Sequence, residues 1–129
     1  MLKFLMPSSA ALYFVIGLVC LFLPDEIAIS VGLSATAAIP IQLISGGALG
    51  LGMLNWAGRS AIYGGIYGRP IMLANLMFNI VFSTTLLRAT MDGHVGPLGW
   101  VSVVVFGAMT AGFFLMMRSP PWSSESDKD

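Results

Sequence analysis

Residues 40–59 read PIQLISGGALGLGMLNWAGR and carry no charge before the closing arginine. A helix rises about 1.5 Å per residue, so about 20 such residues match a hydrocarbon core of about 30 Å. The opening proline suits a helical first turn, where its missing N–H would have no partner in any case. Inside the run, Gly46 and Gly50 form a GxxxG pair, and Ala48 with Gly52 forms a second small-xxx-small pair on an adjoining strip. Lipid provides no hydrophobic drive between helices, so close backbone approach over small residues has to hold them together. The stretch predicts a membrane-spanning helix from about Ile39 to Ala57, built to be touched closely.

Working outward, three further runs have the same character: 4–23, closed by Pro24; 70–88, opened by Pro70; and 97–117, opened by Pro97. The composition agrees, with 57% hydrophobic and 9% charged residues against about 25% charged in soluble domains. The fold class is therefore all-α, an integral membrane four-helix bundle, with residues 1–118 as a single four-span domain and 119–129 as a polar tail. The N-terminal run shows no small-x-small cleavage pattern, and Val19 before Cys20 spoils a lipoprotein site, so it reads as a retained first helix. A net charge of zero without a basic cluster excludes nucleic acid as a partner. One cysteine forms no intramolecular disulfide, and no Cys/His spacing suits zinc.

Two connectors and the tail carry the remaining polarity. PDEIAISVGLSATAA, after the first span, is open to two readings. It is either a short helix at the interface with Ile27, Ile29, Val31 and Leu33 dipping into lipid, or an extended segment in which those four residues alternate. GRSAIYGGIYGRP, residues 58–70, places Tyr63 and Tyr67 four apart as aromatic anchors at headgroup level, with Arg59 and Arg69 beside lipid phosphates. Lys3, Arg59, Arg69, Arg118 and Lys128 fall on one side of a four-span topology and only Arg88 on the other, which predicts both termini in the cytoplasm.

Inside the third span, Asn75, Asn79 and Ser83 recur every fourth residue on one face. Amides are costly in hydrocarbon, so this stripe should point inward and find partners, with Gln42 and Asn55 as possible ones. Asn55, Trp56 and Arg59 share a helical face, and with Asn75 and Asn79 they make the candidate pocket for a small polar molecule or headgroup. Ser102, Gly107, Thr110 and Ala111 are expected to be the inward small-residue face of the fourth helix. None of the six acidic residues lies inside a span, so an intramembrane proton site is missing, including the first-helix glutamate on which small multidrug exporters depend. His94, the only histidine, lies in the loop ATMDGHVGP and is no intramembrane ligand for haem. Asp92 and His94 with Asp25 or Glu26 have suitable chemistry for a metal but no ligand spacing, and the nine methionines form no repeated copper pattern. No cofactor or metal is expected.

Taken in order, FLPDEIA, GGALGLGMLNWAGR and GRPIMLANLMFN resemble the small four-helix bacterial membrane proteins grouped as DoxX-like. The likeness lies in an acid after the proline that closes the first helix, a Gly-rich second helix closing in Asn-Trp-x-x-Arg, and a third helix beginning soon after an arginine. It covers about two thirds of the chain and implies an inner-membrane four-helix bundle. It brings no catalytic residue to this sequence, and the acidic or thiol residues that a redox role would need are not matched.

The small residues Gly46, Gly50, Ala48 and Gly52 are expected to pack against another helix, of the same chain in the first instance or of another subunit. These readings lead to a non-enzymatic membrane subunit that packs through the Gly46/Gly50 strip against a larger membrane complex or a second copy of itself, surrounded by lipid. The alternative is a binder or carrier of a small or lipid-like molecule. A membrane enzyme acting through Asp92 and His94 is the third class.

Overall fold

The structure, a computed structural model, describes residues 4–59 and 68–118. Its helices are α1 (Leu5–Phe22), α2 (Pro24–Ser30), α3 (Ala38–Gly58), α4 (Gly68–Met91) and α5 (Pro97–Arg118), with a 3₁₀ turn at Ala35–Ala37 leading into α3. No strand occurs among the described residues. Helices α1, α3, α4 and α5 are long and apolar enough to cross a membrane. Their outward faces carry Val15 and Phe22, Leu43 and Met53, Met77 and Val81, and Val101 and Val104, all exposed. A soluble monomer rarely tolerates apolar exposure of this extent. The chain is an all-α integral membrane protein with four spanning helices, as the apolar runs predict.

The helix starts share one chemical device. Pro7, Pro24, Pro40, Pro70 and Pro97 each lie within the first three residues of their helices, where backbone N–H groups have no intrahelical acceptor. Pro24 closes α1, as expected, and also opens α2. Proline disfavours the helical region for the residue before it, and Leu23 accordingly sits at φ −125° and ψ 42°. The break is one residue wide, because Leu23 N still donates to Val19 O and Ile27 N already donates to Leu23 O. Asp25 and Glu26 then occupy the first turn of α2, where negative charge meets the positive end of the helix dipole. Of the two readings of this connector, the structure takes the helical one for Pro24–Ser30, and Ile29 on that helix and Val31 and Leu33 beyond it are exposed.

Both α2 and α4 end on a glycine in the left-handed region, Gly32 at φ 73° and Gly93 at φ 74°. Leu33 N donates to Ala28 O and Gly32 N to Ile29 O; in the same pattern His94 N donates to Ala89 O and Gly93 N to Thr90 O. This is the Schellman arrangement, which satisfies the last carbonyls of a helix and reverses the chain. The turn after α4 thus explains Asp92-Gly93-His94 as backbone chemistry.

The chain divides into two compact units, Met6–Ala57 carrying α1 to α3, and Gly58–Asp129 with the first five residues, carrying α4 and α5. In the first, Met6, Ser9, Ala10, Tyr13 and Gly17 form the buried strip of α1, and Ser45, Ala48, Gly52 and Asn55 that of α3. In the second, α4 buries Ile71, Met72, Asn75, Leu76 and Asn79. Helix α5 buries Gly99, Phe106, Phe113 and Met116. The expected small face of α5 is therefore corrected: Ala111 is exposed and Gly107 has open space beside it. The inward positions are the glycine and aromatics spaced by seven, with the Phe106 ring 5.0 Å from Phe82, itself stacked on Phe78 at 4.4 Å. Aromatic packing of this kind contributes more contact than a row of alanines and glycines.

Gly93→Ala should lower stability by about 1 kcal/mol, because an L residue is strained at positive φ. Gly96→Ala, where an added Cβ meets nothing within 4 Å, should be close to neutral. Thermal unfolding in detergent, followed by circular dichroism, compares the two, and equal effects would count against this role for Gly93.

Candidate functional site

The buried small and polar residues are assembled helix by helix. On α3, positions 45, 48, 52 and 55 recur at spacings of three and four, which keeps one stripe on α1. A Cβ added at Gly52 would stand 3.3 Å from the carbonyl oxygen of Ala10 and 3.4 Å from Phe14. On the facing helix, a Cβ at Gly17 would come within 2.6 Å of Leu49 Cγ. The helices touch through backbone here, and Ala48 between them is fully buried. At the end of the stripe Asn55 Nδ2 donates to Ser9 Oγ at 2.8 Å, and Ser9 Oγ donates in turn to Met6 O at 2.9 Å.

The adjoining strip behaves differently. Gly46, Gly47 and Gly50 have no atom within 4 Å of where a Cβ would lie, and all are exposed. Two small-residue pairs with identical spacing therefore have separate fates. Ala48 and Gly52 close the contact with α1, and Gly46 and Gly50 face away from it.

On α4, Asn75 and Asn79 are fully buried, as the cost of a bare amide in lipid requires. Their donors turn back along their own helix, Asn75 Nδ2 to Ile71 O at 2.8 Å and Asn79 Nδ2 to Asn75 O at 2.7 Å. The hydroxyls of Ser83, Thr84, Thr90 and Thr110 likewise bond carbonyls three or four residues back. The inward direction of the stripe agrees with the sequence. Each of the two amides thus gives one hydrogen bond to a carbonyl of its own helix. Gln42, considered as a partner, is exposed.

The other candidate positions are distributed as follows. Trp56 is half exposed while its neighbour Asn55 is buried, so the two point to different surroundings. Asn55 and Trp56 belong to the α1–α3 unit, and Arg59, Asn75 and Asn79 to the α4–α5 unit. Arg59, just past α3, and Arg69, in the first turn of α4, are exposed. The anchors Tyr63 and Tyr67 lie outside the described residues. Asp92 pairs with Arg88 at 3.9 Å, one helical turn apart and both in solvent, a pair worth at most about 1 kcal/mol. Among the described residues no three His, Cys, Asp or Glu side chains are placed to hold a metal ion.

A groove of about 400 Å³ lies where α4 begins and α5 ends, lined by Arg69, Pro70, Leu73 and Met117. It arises from the antiparallel pairing of α4 with α5, visible in Thr90 beside Gly99 and Phe82 beside Phe106. That register brings residues near 73 and near 117 together. The short connector between the third and fourth spans was the available signal.

No known family, curated protein or solved structure matches the chain. The class that the fold defines is a polytopic membrane protein with close-packed glycine contacts and buried amides.

Gly52→Leu should disrupt the α1–α3 contact, with unfolding at markedly lower denaturant concentration, since the added side chain meets backbone. Ser9→Ala should cost about 0.6–1.7 kcal/mol, the range of a hydrogen bond between membrane helices. Equilibrium unfolding in mixed micelles measures both, and a neutral Gly52→Leu would show that the helices are not held this closely.

Proposed function

We propose that the chain is a non-enzymatic membrane subunit whose α3 presents the Gly46/Gly50 strip to a further membrane helix, of another protein or of a second copy. The observation that carries this reading is the open space at Gly46, Gly47 and Gly50 beside the fully used Ala48/Gly52 strip. Glycine inside a helix costs about 1 kcal/mol relative to alanine. Within its own unit the chain gains no contact from these three. A helix laid across them recovers that cost as dispersion contact between backbones.

The arginine and lysine distribution supports an orientation with both termini in the cytoplasm, and the likeness to DoxX-like proteins supports a bacterial inner membrane. The alternative, a small or lipid-like molecule carried inside the bundle, draws on Asn55, Asn75 and Asn79. It ranks second, since amide donors of all three already serve Ser9 and the helix carbonyls.

The test is Gly50→Leu, with Gly46→Leu beside it. Each variant should keep wild-type helicity and melting temperature, yet lose the assembly seen by native mass spectrometry after mild-detergent extraction. Retention of the same assembly by both variants would sink the proposal.

A further inference from the structure

The groove at the open end of the α4–α5 hairpin goes beyond the assembly reading, and it is built from different helices. We infer that it holds one anionic phospholipid, with the phosphate on the Arg69 guanidinium and an acyl chain against Leu73 and Met117.

Charge and apolar surface are arranged in sequence along the hairpin. Arg69 lies in the first turn of α4 and is exposed. Pro70, Leu73 and Met117 continue the groove along the helix direction, away from the charge. Leu73 is 51% exposed and Met117 41% exposed, so the groove floor is apolar surface that the other described residues leave largely uncovered. A cation at one end and a hydrocarbon wall running from it is the profile of a phospholipid, and the volume falls within the range of about 300–1,000 Å³ typical of small-molecule sites.

Charge complementarity decides the headgroup. Arg118, the last residue of α5, adds a second cation at this end, placed over the Phe114 ring at 5.8 Å. The described carboxylate of this unit is Asp92, one residue past the other end of α4, about 35 Å away at 1.5 Å per residue. It is already beside Arg88. Among the described residues of the α4–α5 unit no other carboxylate is present to compete for Arg69. A guanidinium matches a phosphate diester with two parallel hydrogen bonds, which a zwitterionic headgroup offsets with its own ammonium. The groove should thus discriminate by headgroup charge and retain its ligand by the acyl chain.

The test uses the full chain, delipidated in detergent and titrated with phosphatidylglycerol or phosphatidylcholine of matched acyl chains. First-adduct affinities are read by native mass spectrometry. Wild type should prefer phosphatidylglycerol by about five- to tenfold, as expected for about 1 kcal/mol per surface arginine. Arg69→Gln should bring phosphatidylglycerol down to the phosphatidylcholine level, and Arg69→Lys should restore most of the preference. Leu73→Ser should weaken both lipids alike, and Arg88→Gln should change neither. Glu125→Gln, Asp127→Asn and Asp129→Asn together, which neutralise the acidic tail, should leave the preference unchanged.

Equal binding of the two lipids by wild type, or a preference that survives Arg69→Gln, would overturn the inference. So would full displacement by millimolar glycerol phosphate, which would show a site for free phosphate rather than for a lipid. A preference appearing only in the tail variant would overturn it as well, because Arg69 would then be a partner of the tail. If Arg69→Gln does not fold, the Lys and Leu73→Ser variants carry the comparison. None of these substitutions touches α3, so failure here leaves the assembly proposal standing, and the reverse also holds.

Discussion

In hydrocarbon no water is present to satisfy a backbone N–H or C=O, and each one left bare costs several kcal/mol. That constraint forces each span into an unbroken helix and moves every irregularity to the helix ends. The prolines obey it, lying at the first or third residue of each helix, where no N–H is missed. The two helix ends that turn back tightly obey it too, since the Schellman bonds at Gly32 and Gly93 satisfy carbonyls that would otherwise face the apolar phase or its edge. The Asn75 and Asn79 amides and the Thr84 hydroxyl follow the same rule by bonding carbonyls within their own helix.

Once the backbone is satisfied internally, helix association depends on how closely two cylinders can approach. Glycines at 17 and 52 permit backbone contact between α1 and α3, and the Asn55–Ser9 bond sits at one end of that contact. The second unit solves the same problem with different material. Gly99 admits the Thr90 side chain near the turn, and Phe82 against Phe106 fills the middle of the hairpin. Small residues thus serve where α1 meets α3, and ring stacking where α4 meets α5.

The four spans were legible because their signal, about 20 uncharged apolar residues between proline or charge, is set by membrane thickness alone. The inward turn of Asn75 and Asn79 was legible for the same reason that buried polar groups are costly. Which partner their amides would choose was not, because a helix always places its own carbonyls within reach and spacing alone does not weigh them against a neighbour. The fate of the two glycine pairs on α3 was equally closed to the sequence: both have the period of four, and only the position of α1 separates Ala48/Gly52 from Gly46/Gly50. On α5, the small residues Ser102, Gly107, Thr110 and Ala111 mark one face in the sequence, but that face is not the buried one. The Phe106/Phe113 period of seven was the better indicator. For residues 24–38, a proline, two acids in the first turn and a glycine after Val31 bracket one short helix, and those end signals outweigh the alternation of Ile27, Ile29, Val31 and Leu33.

Charge along the α4–α5 hairpin follows from desolvation. An ion inside the span would lose its hydration without an adequate partner, so the described charges lie only at the two ends. At the turn, Arg88 and Asp92 stand together and cancel. At the open end, Arg69 and Arg118 stand without a described acid, one on a groove and the other on an aromatic ring. The hairpin is therefore electrically asymmetric along its axis although the whole chain has no net charge. A negative cytoplasmic leaflet attracts positive charge, which is the physical ground of the proposed orientation, and the same arginines are the ground of the proposed headgroup site. The proposed orientation of the hairpin and the proposed lipid at Arg69 thus rest on one charge distribution.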